Sequence, residues 1–162
     1  MNKSNSGIEL NSGNILRIYS KDETCEIERQ WLKIFCKHKQ GANTNTYKWH
    51  IFSFEKYPSV SGTKALDIYS EQKAAEYIVM SNDDEFAIET DTLPQECNLM
   101  DFYVFPKNMA WTMAFTHEDG WLGPYFATHK NYDKLNRINI EILKNNERKK
   151  KEIEIAKQNG WL

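Results

Sequence analysis

Ile27, Trp31, Ile34 and Phe35 recur at the three-to-four spacing of a helix that turns one face to a core. Ser20 followed by Glu23 fits a capping box, and Asp22, Glu23, Glu26 and Glu28 crowd the end where aligned peptide dipoles leave positive charge. Lys37, His38 and Lys39 suit the opposite end, with Gly41 as terminator. The spacing therefore predicts a helix over 21–39. The period then shortens. "TYKWHIFSF" (46–54) is dense in β-branched and aromatic residues and predicts a strand, closed by Pro58. Ser61 is placed to cap a short helix over "GTKALDIYSEQ", with Ala65, Leu66 and Tyr69 on one side. "AEYIVM" (75–80) and "FAIET" (86–90), joined by "SNDDE", predict a hairpin, because Ser, Asn and Asp bond their own backbone in turns. "DFYVF" (101–105) and "WTMAFT" (111–116), joined by "PKNMA", predict a second. Along that last strand Trp111, Met113, Phe115 and His117 fall on one face, and Thr112, Ala114 and Thr116 on the other.

From Asn131 a long helix is predicted, capped by Asn131 or Asp133, with Tyr132, Leu135, Ile138 and Ile142 as its apolar stripe. Past Leu143 the stripe gives way to alternating charge, which predicts a solvated helical extension over 146–162. Residues 1–14, rich in Asn, Ser and Gly, have little to bury and predict a flexible N-terminus. The element order predicts one α+β domain over 15–145, an antiparallel sheet of about five strands packed against helices and followed by a long C-terminal helix.

At 162 residues with 13 % aromatics, the chain can build one core. Cys25, Cys36 and Cys97 are odd in number and form no CxxC pair; Cys25 and Cys36 would stand roughly 16 Å apart on one helix, too far to bridge. With no secretory h-region and no long apolar run, the expected setting is the cytoplasm, without membrane contact.

The net charge of −2 conceals an asymmetry. From Ala74 to Pro106 there is no Lys or Arg, but there are eight acids: Glu76, Asp83, Asp84, Glu85, Glu89, Asp91, Glu96 and Asp101. The segment 130–151 is instead basic, although its interspersed acids and lack of an aromatic platform argue against nucleic-acid binding. Phosphate-binding, dinucleotide, nucleophile-elbow and HExxH patterns are absent, and no cofactor or metal is expected. His117, Glu118 and Asp119 are the best candidate chemical cluster, with His50 able to approach if strand register allows.

"YKWHIFSFEKYPSVSGTKA" and "DFYVFPKNMAWTMAFTHEDGWLGPYF" together resemble a family of small bacterial proteins known as domain of unknown function 4275, over about residues 20–127. The positions that carry the resemblance include Trp49, His50, Trp111, Thr116, His117, Glu118, Gly123, Pro124 and Tyr125. The resemblance implies a compact cytoplasmic α+β domain and no reaction. The functional expectation is an immunity protein that neutralises a cognate toxin, such as a contact-dependent inhibition nuclease, without catalysis. Its partner-binding residues would be Asp83, Asp84, Glu85, Glu89, Asp91, Glu118, Asp119 and Trp121. The alternative is an enzyme or metal-binding protein using His117, Glu118 and Asp119.

Overall fold

The computed structural model describes residues 2–3, 7–38, 42–118 and 121–162, the first two by their backbone alone. Lys39, Gly41 and Asp119 lie outside the described residues. In chain order the elements are β1 (Asn2–Lys3), β2 (Glu9–Leu10), β3 (Ile15–Ile18), α1 (Lys21–Phe35), α2 (His50–Ser53), β4 (Val60–Ser61), α3 (Gly62–Ser70), β5 (Tyr77–Ser81), β6 (Ala87–Thr90), β7 (Phe102–Pro106), β8 (Trp111–Phe115), β9 (Tyr125–Thr128) and α4 (Tyr132–Gln158).

The fold is α+β. Seven strands form one antiparallel sheet in the order β3-β6-β5-β7-β8-β9-β4, and β1 pairs with β2 apart from it. The four hairpin strands expected from the sequence are present. The sheet has seven strands rather than about five because β3, β4 and β9, each four residues or fewer, are too short to show a period.

The strand expected over 46–54 is not formed. Turns lead from Tyr47 into α2, where the N–H of Phe52 donates to the Trp49 carbonyl at 2.9 Å. Trp49, Ile51 and Phe52 are all buried, an arrangement that strict alternation on a one-sided strand would prevent. Side chains take the backbone donors a ladder would have used: the Trp49 N–H donates to the Tyr103 hydroxyl at 2.9 Å, and the Lys48 N–H to Asn82 Oδ1 at 3.1 Å. Aromatic and β-branched enrichment signals a fit to a packed surface, and here that surface is the sheet's own face.

Both faces of the sheet are covered, so β5 and β7 read as apolar runs rather than as alternation. Ile78, Met80, Tyr103, Phe105, Ala114 and Tyr125 meet Trp31 and Phe35 of α1 and Phe52 of α2 on one side. Val79, Ile88, Val104, Trp111, Met113 and Phe126 meet Ala65 and Tyr69 of α3, and Ile8 and Leu10, on the other. Ile8 and Leu10 are fully buried, although they lie in the segment expected to have little to bury. Each such large apolar side chain contributes on the order of 1.5–3 kcal/mol. The Trp31 indole donates to Thr112 Oγ1 at 2.9 Å, which fixes α1 on β8.

The capping box forms as expected: Ser20 Oγ accepts from the Glu23 N–H at 3.2 Å, and Glu23 Oε2 accepts from the Ser20 N–H at 2.8 Å. The helix stops at Phe35, short of residue 39, where the Cys36 N–H closes the last turn on the Leu32 carbonyl at 2.9 Å. Asn131 is the N-cap of α4, without a side-chain capping bond. Residues 144–155 of α4 are exposed throughout. Among the described residues no helix is long and apolar enough to cross a membrane.

Candidate functional site

Two segments far apart in the chain meet at the end of the β7–β8 hairpin. The register pairs Phe102 with Phe115, so Asp101 falls level with Thr116 just beyond the last rung, one residue from His117. Asp101 Oδ1 accepts from the His117 N–H at 3.1 Å and from the Trp49 indole at 3.0 Å. Nδ1 of His117 lies 2.9 and 3.0 Å from the two Asp101 oxygens and, since a carboxylate only accepts, carries the proton there. The Asp101 bond, helped by the Asp101 and Glu118 charges, raises the His117 pKa above its ordinary value. Nε2 of His117 is 3.5 Å from Glu118.

Aromatic rings pack around this cluster. Tyr47 stacks on Trp49 at 5.3 Å, and the His117 ring lies 4.9 Å from Tyr47 and 6.0 Å from Trp49. His50 lies 4.6 Å from Trp49, and its Nδ1 is 2.6 Å from the Asn43 carbonyl. His50 and His117 thus share neighbours and have separate polar partners. Among the described residues no group of three or more His, Cys, Asp or Glu side chains is placed to hold a metal ion. Burial pushes the Cys97 thiol pKa up, which disfavours the nucleophilic thiolate.

The match to a family model is confined to the middle of the chain. The family described as "Domain of unknown function (DUF4275)" matches residues 20–126, which contain the whole Trp49–Asp101–His117 cluster. The chain belongs to this family. No curated protein and no solved structure matches it. The DUF4275 match leaves out β3 and α4, so the edge strand that completes the sheet beside β6 lies outside it.

The acidic stretch divides once folded. Asp83, Asp84 and Glu85 share the β5–β6 turn, with Asp84 at φ +57°. Lys21 of α1 bridges Asp84 at 3.2 Å and Glu85 at 2.8 Å, bonds that raise the lysine's pKa. Beneath the turn, buried Lys48 is 3.6 Å from Glu28 and donates to the Asn82 carbonyl. Glu89 is not at the surface: it is 4 % exposed on β6 and accepts from Tyr19 at 3.0 Å and Lys107 at 3.0 Å. Burial and this carboxylate push the Tyr19 hydroxyl up to about 12. Asp91 accepts from the backbone and side chain of Asn14 at 2.8 and 2.9 Å, which hold its pKa below the usual carboxylate value. The stretch without Lys or Arg is therefore met by Lys21, Lys48 and Lys107 from its flanks.

Residues 116–118 and 121–124 belong to the connection between β8 and β9. The N–H groups of Trp121 and Leu122 donate to the Glu118 carbonyl at 2.9 and 2.8 Å, and the Thr116 hydroxyl donates to the Leu122 carbonyl. Gly123 holds φ +96°, and a Cβ there would come within 3.0 Å of Thr116 and 3.1 Å of the Tyr125 ring, so any other residue is strained there. Trp121 is 85 % exposed and Met100 70 %. A groove of about 490 Å³ contains Trp121 and Glu55; another, of about 380 Å³, contains Leu66, Met100, Phe115 and Glu96. Among the described residues each has one carboxylate and no cation in its lining.

Asp101 is the site residue that sequence reasoning did not single out. It was counted within the acidic stretch, yet a hairpin register read from the "PKNMA" connection would have set it opposite the strand end that carries His117.

Proposed function

We propose that this domain acts by binding a basic protein, without catalysis, as an immunity protein that neutralises a toxin in the bacterial cytoplasm. The observation that carries the reading is the face around 116–124. Trp121 stands exposed beside a groove in which Glu55 is the one charged lining residue among those described, and exposed Met100 lines a separate groove that holds Glu96. Exposed aromatics of this kind anchor protein interfaces, and carboxylates around them select a cationic partner surface. A nuclease offers such a surface, because its substrate groove must attract phosphates. Glu118 belongs to the same segment, and Asp83, Asp84 and Glu85 add steering from the β5–β6 turn. Glu89, buried on β6, and Asp91, exposed but bonded to Asn14, are engaged by the scaffold.

The test is to sequence the neighbouring genes for an exported toxin and to titrate its C-terminal domain against this chain by calorimetry; the lack of any such gene would count against the reading. Trp121→Ala is expected to weaken binding about thirtyfold or more, and Glu118→Gln by a smaller factor. Unchanged affinity in Trp121→Ala would remove this face from the interface.

A second reading rests on the Asp101–His117 pair, since a carboxylate on Nδ1 is how a catalytic histidine is oriented. It requires His117→Ala to abolish an activity while leaving Tyr47 and Trp49 packed, seen as an unchanged near-ultraviolet dichroism spectrum.

A further inference from the structure

A different depression, of about 380 Å³, opens where the end of α1 approaches the α2–β4 loop and the β9–α4 connection. It is lined by Lys33, Lys37, His38, Lys56, His129 and Lys130, together with Ile34 and Tyr57. Among the described residues no carboxylate lines it, in a chain whose net charge is −2. Among the described residues none of these four lysines takes part in an ion pair, whereas Lys21, Lys48 and Lys107 all do.

Helix polarity accounts for part of the arrangement only. Lys33 and Lys37 stand toward the C-terminal end of α1, where cations are favoured. Lys56 and Lys130 come from two other segments and bring like charge to the same place, which costs repulsion unless an anion is bound. His129 adds a neutral donor. Its Nδ1 accepts from the Asn131 N–H at 2.9 Å, which leaves the ring proton on Nε2, and burial with Lys130 nearby lowers its pKa. A second depression shares Tyr57, His129 and Lys130 and continues to the first turn of α4, where Asp133 lines it.

We infer that this pocket binds a small molecule carrying two or more phosphate groups. Lysines are point-charge partners for phosphate, and four of them around one open depression match a compact polyanion better than a single carboxylate. A nucleic-acid strand would instead call for cations along a groove and free aromatic faces. Tyr57, the pocket's aromatic ring, packs edge-on against Phe35 and bonds the Thr128 carbonyl at 2.6 Å. The pocket shares only Tyr57 with the Trp121 groove, so its test is independent of partner binding.

Calorimetry on the full chain at constant ionic strength, with sodium pyrophosphate and with ATP, tests the inference. Saturable binding of either is expected, falling about tenfold or more in Lys33→Gln/Lys56→Gln and in Lys37→Gln/Lys130→Gln. All four lysines are exposed, so the variants should keep the wild-type circular dichroism and unliganded melting temperature. Vesicles bearing phosphorylated inositol headgroups form a parallel arm. Binding there alone, lost in the same variants, supports the site and assigns its phosphates to a lipid. No binding in any arm, binding indifferent to both variants, or capture of a single-stranded oligonucleotide without pyrophosphate or ATP would overturn it.

Discussion

Asp101 and Asp83 belong to one acidic stretch, but the fold uses them in opposite ways. Asp101 sits at a strand end, 15 % exposed in its side chain, and accepts from an indole, a backbone N–H and a histidine ring. Asp83 sits in the exposed β5–β6 turn, where among the described residues it accepts only from the nearby Glu85 N–H at 3.2 Å. A carboxylate that gathers donors from segments fifty residues apart acts as a joint, whereas one that bonds its own turn is left for solvent or a partner. Charge counted along a sequence does not separate these roles, because the number and origin of the donors decide them.

The difference should be largest where most donors are orphaned. Asp101→Ala strands the Trp49 indole and both His117 donors and is expected to cost about 3 kcal/mol, read from urea unfolding. An effect below about 1 kcal/mol would show that water replaces the joint. Glu89→Ala, which removes the acceptor for Tyr19 and Lys107, is expected to cost about 2 kcal/mol, against no more than about 0.5 kcal/mol for Asp83→Asn. Equal losses would erase the distinction between buried and turn carboxylates.

The subtlest effect concerns pH. Asp101 raises the pKa of His117 above its ordinary 6.5, so the folded state binds that proton more tightly than the unfolded chain. The resulting stabilisation is fully present below about pH 6.5 and is lost as pH rises through the raised folded value. The wild-type urea midpoint should therefore fall relative to His117→Gln between about pH 5.5 and 8.5. Parallel curves for the two proteins would contradict the Asp101–His117 coupling.

Local chemistry was the readable part of this chain. Ser20 and Glu23 announce the start of α1 because both capping bonds form within four residues. Trp111 and Met113 against Thr112 and Ala114 give the two faces of β8, since alternation follows from the pleat alone. Where the outcome depends on distant residues, legibility ends. "TYKWHIFSF" carries strand composition, but Tyr103 and Asn82 capture its backbone donors and leave a turn and a short helix. β3 exists because Arg17 and Ile18 find Glu89 and Ile88, a pairing no local pattern specifies. The candidate site followed the same rule. His117 and Glu118 could be named from their motif, but the carboxylate that holds His117 came from the neighbouring strand.

Gly123 has a consequence for how this surface can vary. The position is only half-buried, yet an added methyl group would crowd Thr116 and Tyr125 on a backbone held at φ +96°. In a saturation mutagenesis screen residue 123 would look as intolerant as the centre of the core, while neighbouring Trp121, open to solvent, would accept many replacements at no cost to folding. Binding specificity in this segment can therefore diversify around a hinge point that cannot, and the indispensable residue in it is the one with nothing to offer a partner.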